Sequence, residues 1–249
     1  MTRFAHDEIK PFSEEGGKKE QVAEMFDRIA GRYDFMNRFL SARIDVLWRR
    51  KAMKALAPFR PRTLLDVATG TGDMALMAAR ILRPERIVGI DISEGMLAVG
   101  RRKVVEAGFT TTIELQSGDS ETIKAADNTF DAGMVAFGVR NFEHLEKGLG
   151  EILRVLKPGA PLVVLEFSRP RLPVLRQFYG WYMGWLAPQM ARWFQQNKQA
   201  YQYLNASANA FPDRNDFVAI LNNVGFVHTS FKPLTFGICC LYVGCKRQD

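Results

Sequence analysis

Thr63-Leu64-Leu65-Asp66-Val67-Ala68-Thr69-Gly70-Thr71-Gly72-Asp73 is the stretch on which the reading of this chain turns. Its first half is a short run of leucines and valine, the composition of a buried strand. Its second half breaks at two glycines and runs into a helical pattern of Met74, Leu76, Met77 and Ile81. Strand, glycine turn and helix together open a nucleotide-binding α/β unit. Gly70 and Gly72 let backbone approach a ligand where a Cβ would collide. The turn by itself leaves the nucleotide open.

Two ligands compete for it. Gly70-x-Gly72-x-x-Ala75 fits a relaxed dinucleotide fingerprint, so a nicotinamide enzyme is one reading. A dinucleotide, however, lays its pyrophosphate against the turn, and a nearby carboxylate serves an anion poorly. Here Asp66 lies within the strand and Asp73 follows Gly72. Carboxylates on both sides suit a ligand with an ammonium and a sulfonium, S-adenosylmethionine. A glycine turn in an unrelated α/β protein is the third possibility.

The following segments discriminate. Arg86-Ile87-Val88-Gly89-Ile90-Asp91 is a second strand ending in an acid. It lies about 20 residues beyond the turn, the separation at which a carboxylate accepts both ribose hydroxyls. Leu115-Gln116-Ser117-Gly118-Asp119 reads as a third strand ending near an adenine edge. Phe130 to Ala136 is a fourth, and Leu162 to Phe167 a fifth, preceded by a helix that stops at Lys157-Pro158-Gly159. In this order they predict a class I methyltransferase: an α/β, Rossmann-like fold with a seven-stranded, mostly parallel sheet and a reversed last strand. Asp91 is expected to anchor the ribose, and Asp66 with the Gly70–Gly72 turn to hold the methionine end.

Composition sets bounds on the rest. The chain has 249 residues, 47% hydrophobic and 24% charged, enough for one full core. No apolar run reaches the ~20 residues of a membrane span. Residues 1–19 lack the apolar centre of a signal peptide and read as a flexible arm, pointing to a cytoplasmic protein. Cys239, Cys240 and Cys245 cluster in the last strand without metal-ligand spacing, so they read as reduced packing residues and no metal is expected. The net charge of +7 is compatible with RNA or with an anionic membrane surface.

Residues 20–60 predict a helical lid. Glu20 to Ile29 carries Val22, Met25, Phe26 and Ile29 on one stripe and is expected to end at Gly31. Polar Tyr33, Asp34, Asn37, Ser41 and Asp45 then fall among apolar neighbours, which suits a substrate cover; a docked structural helix is the plainer alternative. Ser93 is a natural N-cap for a helix from Glu94 to Ala107, and Leu145 to Leu156 reads as a crossover helix. Residues 169–211 read as an aromatic, basic insertion, and no Asp or Glu occurs between Glu166 and Asp213. Such a stretch is a pocket cap, an interfacial membrane element or a nucleic-acid surface. Asp213 is expected to cap a helix through Leu221, and two closing strands follow.

Three blocks carry a resemblance. Tyr33-Asp34-Phe35-Met36-Asn37 with Ser41 and Trp48 is the first, and Phe137-Gly138-Val139-Arg140-Asn141-Phe142 the second. The third is Arg154-Val155-Leu156-Lys157-Pro158-Gly159, running on to Leu165-Glu166-Phe167-Ser168. With the cofactor motifs, they make the chain similar to the menaquinone and ubiquinone biosynthesis C-methyltransferases over nearly its whole length after the arm. The resemblance implies methylation of a ring carbon of a polyprenylated quinol: demethylmenaquinol, or the corresponding ubiquinone precursor. The closing Phe236 to Tyr242 looks more like the menaquinone branch. Cofactor contacts carried over fall on Thr71, Asp91, Asp119 and Ser120. Ala136 stands where the family often has a serine, which removes one side-chain contact. Asp45 stands where it usually has a histidine, which removes a candidate base.

Arg140 follows the fourth strand, at the sheet edge where α/β ligands bind, and is expected to stabilise the charge of the acceptor. Tyr33, Asp34, Asn37 and Asp45 are candidates to complete its network, and a salt bridge to Glu143 is the plainer alternative. A nucleic-acid-binding or RNA-modifying protein is the reading of another class. Against it, the residues after the fourth strand lack an Asn-Pro-Pro-aromatic pattern, and no RNA-binding module is visible; a lipid-binding protein is the third. A polyprenyl quinol also implies contact with a membrane surface, for which Arg171 to Tyr203 has aromatic and basic residues.

Overall fold

The computed structural model describes residues 4–12, 15–41, 43–170 and 198–248. Its helices are α1 (Lys18–Leu40), α2 (Ile44–Leu56), α3 (Asp73–Ile81), α4 (Glu94–Glu106), α5 (Leu145–Val155), α6 (Lys198–Ala210) and α7 (Asn215–Val224). Its strands are β1 (Thr63–Val67), β2 (Arg86–Asp91), β3 (Ile113–Ser117), β4 (Ala132–Ala136), β5 (Pro161–Phe167), β6 (Val227–Leu234) and β7 (Cys239–Cys245). The seven strands form one sheet in the order β3-β2-β1-β4-β5-β7-β6. Neighbours from β3 to β5 pair in parallel, whereas β7 is antiparallel to both β5 and β6, so the reversed last strand is present.

The central strands read as near-continuous apolar runs because helices cover both faces of the sheet. Alternate residues of each strand enter opposite layers. Leu65, Val67, Val88, Val135 and Val164 pack with Leu149, Ile152, Phe217 and Leu221 from α5 and α7. Leu64, Ile87, Met134 and Val163 pack with Met53, Ala75 and Leu97 from α2, α3 and α4. The β1, β2 and β4 ends thereby sit side by side, with Asp66 level with Gly89 and Met134. Ser93 caps α4 as expected, its hydroxyl accepting from the Met96 N–H at 3.2 Å.

Three local expectations change. α1 does not stop at Gly31 but runs for 23 residues. Gly31 faces solvent, and a glycine inside a helix costs only about 1 kcal/mol against alanine. Val22 and Met25, buried against Ala200 and Tyr203, offset that readily. Asp213 does not cap α7 with its side chain: its carboxylate instead accepts the Arg169 N–H at 2.8 Å, and Arg214 holds the N-cap position. The third strand ends at Ser117, which leaves Gly118 and Asp119 in the loop beyond it. The stretch expected as a flexible arm is docked over its described part, with His6 and Lys18 buried and the His6 ring edge-on to Phe211. Most of the expected insertion, residues 171–197, lies outside the described residues.

Candidate active site

A cleft opens at the carboxyl ends of β1, β2, β3 and β4. Ala68 and Gly70 come from the turn after β1, Asp91 and Ile92 from the end of β2, and Gly118, Asp119 and Ser120 from the loop after β3. Ala136, Phe137, Gly138, Asn141 and Phe142 follow from β4, while Lys19, Val22, Phe26 and Tyr33 of α1 form a roof. Two non-glycine residues in this wall, Ala68 at φ 53° and Phe137 at φ 60°, hold left-handed backbone. Such strain clusters at functional sites, where the surroundings enforce it. The two turns touch: a Cβ on Gly138 would stand 2.5 Å from the Ala68 Cβ.

The residues expected to hold the cofactor divide into two groups. Gly70, Asp91, Asp119 and Ser120 line the cleft, and Asp66, Thr71 and Gly72 do not. Asp91 accepts from the Gly70 N–H at 2.8 Å and the Ser93 N–H at 2.9 Å, which fixes the carboxylate at the cleft wall. Burial pushes its acid up to about 6 despite those donors. Asp66 is buried deeper still, and burial pushes it up to about 7, opposed by the Thr69 hydroxyl, which donates to one oxygen at 2.7 Å, and by the Ala75 N–H. Thr71 turns its hydroxyl away, donating to Asp34 at 2.5 Å and accepting from Lys103 at 3.2 Å.

These features fit a cationic adenosyl ligand. Gly70 adopts φ +56°, and a Cβ built there would enter open space, the space a ligand needs. Asp91, at the cleft wall, retains lone pairs for ribose hydroxyls beyond the two backbone donors it accepts.

The acceptor residues divide likewise. Tyr33 lines the cleft, hydrogen-bonds Asn37, and has its hydroxyl acidity weakened chiefly by burial. Asp34 and Asp45 do not line it. Asp34 accepts from Lys103 at 2.6 Å, and Lys103 also donates to Asp73 at 2.6 Å. Asp45 is buried among Arg38, Ser41 and Arg49, and Arg38 reaches on to Asp73 at 2.8 Å. Both carboxylates therefore tie the lid to the start of α3.

Arg140 does not itself line the cleft: it is buried in the turn after β4, whose Phe137, Gly138 and Asn141 do. Its guanidinium donates to Glu166 at 2.7 Å and to the Phe137 carbonyl at 2.6 Å, so the ion pair is with Glu166 and not Glu143. The Arg140 Nε has no partner. Burial raises the Glu166 acid while the guanidinium opposes it.

Several residues of this neighbourhood were not among the expected site residues. Lys19 donates to Asp119 at 2.7 Å and reaches Glu121 at 3.0 Å. The Tyr203 hydroxyl donates to Asn141 at 3.1 Å. Ile92 and Met96 form an apolar floor, signalled only by their position just past the acid of β2.

Comparison with known proteins agrees with this architecture. A model of the ubiE/COQ5 methyltransferase family matches residues 14–246. The demethylmenaquinone methyltransferase of Bacteroides fragilis is 46% identical over 243 residues, 98% of this chain and 99% of that protein. The ubiquinone/menaquinone biosynthesis C-methyltransferase UbiE of Geobacter sulfurreducens is 44% identical over 230 residues, 92% of this chain and 90% of its own length. Among solved structures, a SAM-dependent methyltransferase from Thermotoga maritima shares the fold with TM-score 0.64 at 20% identity, covering 91% of this chain and all of that one. With a family match spanning lid, cofactor turn and closing strands alike, the chain belongs to the ubiE/COQ5 methyltransferase family.

Proposed function

We propose that this protein transfers a methyl group from S-adenosylmethionine to a ring carbon of demethylmenaquinol. The observation that carries the reading is a buried Arg140 in the turn after β4, close in the chain to cleft-lining Phe137, Gly138 and Asn141, in a protein so similar to a demethylmenaquinone methyltransferase. The corresponding ubiquinone precursor is the second reading, favoured by the relative named for both pathways.

The bound cofactor supplies an electrophilic methyl on a positive sulfur. Asp91 would hold its ribose hydroxyls, Asp119 and Ser120 would meet the adenine, and the Gly70 turn, backed by Asp66, would hold the methionine end. The chain's remaining task is to make the ring carbon nucleophilic. A quinol hydroxyl has a phenol-like pKa near ~10, and losing its proton pushes electron density onto that carbon. A guanidinium is no general base; Arg140 stabilises the developing phenolate and thereby lowers the cost of forming it. Tyr33, oriented by Asn37, completes the polar wall; the hydroxyl proton leaves to water, and once the ring carbon carries the methyl it gives up its own hydrogen as the oxygen is reprotonated, which restores the aromatic quinol. Asp34 and Asp45 act through the lid, holding α1 and α2 down so that bulk water is excluded.

The prenyl tail requires apolar surroundings. Leu47 and Phe236 are exposed large apolar side chains whose neighbours Trp48 and Thr235 are hydrogen-bonded at 2.8 Å. That hydrogen bond brings their two segments together, and we read the pair as one apolar patch suited to an anionic membrane surface when combined with the net charge of +7. No helix among the described residues is long and apolar enough to cross a membrane. Purified protein with methyl-labelled cofactor, offered tRNA or a chemically reduced lipid extract containing demethylmenaquinol, tests the function. Label is expected in the quinone fraction; label in tRNA alone, or nowhere, would refute it.

A further inference from the structure

We propose that Lys18 is the positioning residue for Arg140, fixing the turn that carries it and coupling that turn to the start of the lid. The proposal rests on the charge-stabilising role of Arg140 given above.

Lys18 opens α1, yet its side chain does not go to solvent: it is 1% exposed. An ammonium has three donors and no acceptor, and removing it from water is costly unless all three are used. Here all three are. The Lys18 Nζ donates to the carbonyls of His6 at 2.7 Å, Phe142 at 3.0 Å and Arg140 at 3.2 Å. One of these acceptors lies within the short turn Val139–Asn141 and another directly after it, the turn that presents Arg140. The Lys18 backbone N–H adds a fourth tie, to Glu143 at 3.1 Å. Burial lowers the ammonium's pKa to about 8, and nearby Asp7 opposes that shift.

The Arg140 guanidinium is fixed from the other side by Glu166 and the Phe137 carbonyl. Its backbone is fixed by Lys18. A methionine would fill the same space without an ammonium to bury, so packing does not call for a charge here. What the charge adds is direction: three carbonyl dipoles held to one point, two of them within or directly after the turn of Arg140. The helix that begins at Lys18 goes on to place Val22, Phe26 and Tyr33 over the cleft. Seating the lid and setting Arg140 are therefore one event, and the His6 carbonyl brings the N-terminal segment into it.

The test is a double-mutant cycle of K18M and R140A, with turnover, cofactor affinity by calorimetry, and hydrogen exchange over residues 138–143 of the cofactor-free protein. K18M is expected to lower kcat by about 10- to 100-fold, the scale for a small misplacement of a reacting group. Cofactor affinity should stay within about threefold, and exchange over the turn should quicken. In the R140A background K18M should change kcat by less than about twofold, because the group it positions is gone. K18R, which keeps a cation and its donors, should recover most of the loss. Equal losses in both backgrounds would make Lys18 merely structural and overturn the proposal while leaving Arg140 in place. R140A at wild-type kcat would instead remove the reading beneath it. Should K18M not fold, K18Q, which keeps two donors, goes through the same cycle with the same outcomes.

Discussion

Glu166 holds Arg140 across 26 residues of sequence, carboxylate to guanidinium at 2.7 Å, with both side chains withdrawn from solvent. The pair links the end of β5 to the turn after β4, strands whose Leu165 and Ala136 lie level in the sheet. Glu166 also accepts the Phe167 N–H at 2.9 Å, which aims the carboxylate. Glu166→Ala strands a buried cation and is expected to cost roughly 3–5 kcal/mol of stability. Glu166→Gln keeps an acceptor and should cost clearly less. Urea unfolding of the three proteins measures this, and an unchanged midpoint for the alanine variant would contradict the pair's role.

Cofactor binding should weaken in acid. Burial raises Asp66 to about 7 and Asp91 to about 6, so the cofactor-free protein takes up protons there as pH falls from 8 to 5. A cationic ligand with ribose hydroxyl donors favours the ionised forms. Affinity should therefore fall below about pH 7, and binding at pH 6 should release protons. Stability of the cofactor-free fold runs the other way for these two groups. Their folded pKa values exceed the ordinary 3.8, so their contribution is largest when protonated and declines as pH rises through 4 to 7. Calorimetry at pH 6 and 8 in buffers of different ionisation enthalpy tests the linkage; pH-independent affinity would refute it.

Asp91→Ala should weaken cofactor binding by roughly 1.5–3 kcal/mol, the range for hydrogen bonds to a charged group. Gly70→Ala should weaken it as well, by a different route. It places a methyl in the open cleft and holds an L-residue at φ +56°, which costs about 1 kcal/mol of stability besides. Tight binding by both variants would put the cofactor elsewhere.

The fold was legible because its signals are local. A strand of Leu and Val breaking at Gly70, and Asp91 closing the next apolar run, are each written in a few adjacent residues. The mode of action of the site was less so. Lys18 reaches carbonyls of residues 140 and 142, and a carbonyl carries no side-chain signature. Glu166 stood in a quoted motif, but only the β4–β5 register brings it to Arg140. Asp34 and Asp45 were rightly noticed as polar among apolar neighbours. Spacing did not tell whether they face the cleft or the cations Arg38, Arg49 and Lys103. The continuation of α1 past Gly31 was hidden for a related reason, since distant Lys103 and Asp73 hold it through Asp34 and Arg38.

Association with anionic vesicles should depend on salt and on the exposed patch. Each basic residue near the surface contributes about 1 kcal/mol, screened as ionic strength rises. Leu47→Asp with Phe236→Asp should lower co-sedimentation at both low and high salt, because an apolar contact is not screened. Equal recovery with neutral and anionic vesicles, unchanged by the substitutions, would leave the patch without a membrane role.

The central claim is most directly tested by the product itself. Purified protein, S-adenosylmethionine with a labelled methyl, and a reduced short-chain demethylmenaquinol should yield one product, read by mass and NMR, with the label on the vacant ring carbon. An O-methyl ether, or no transfer to this quinol while the cofactor binds, would contradict the account.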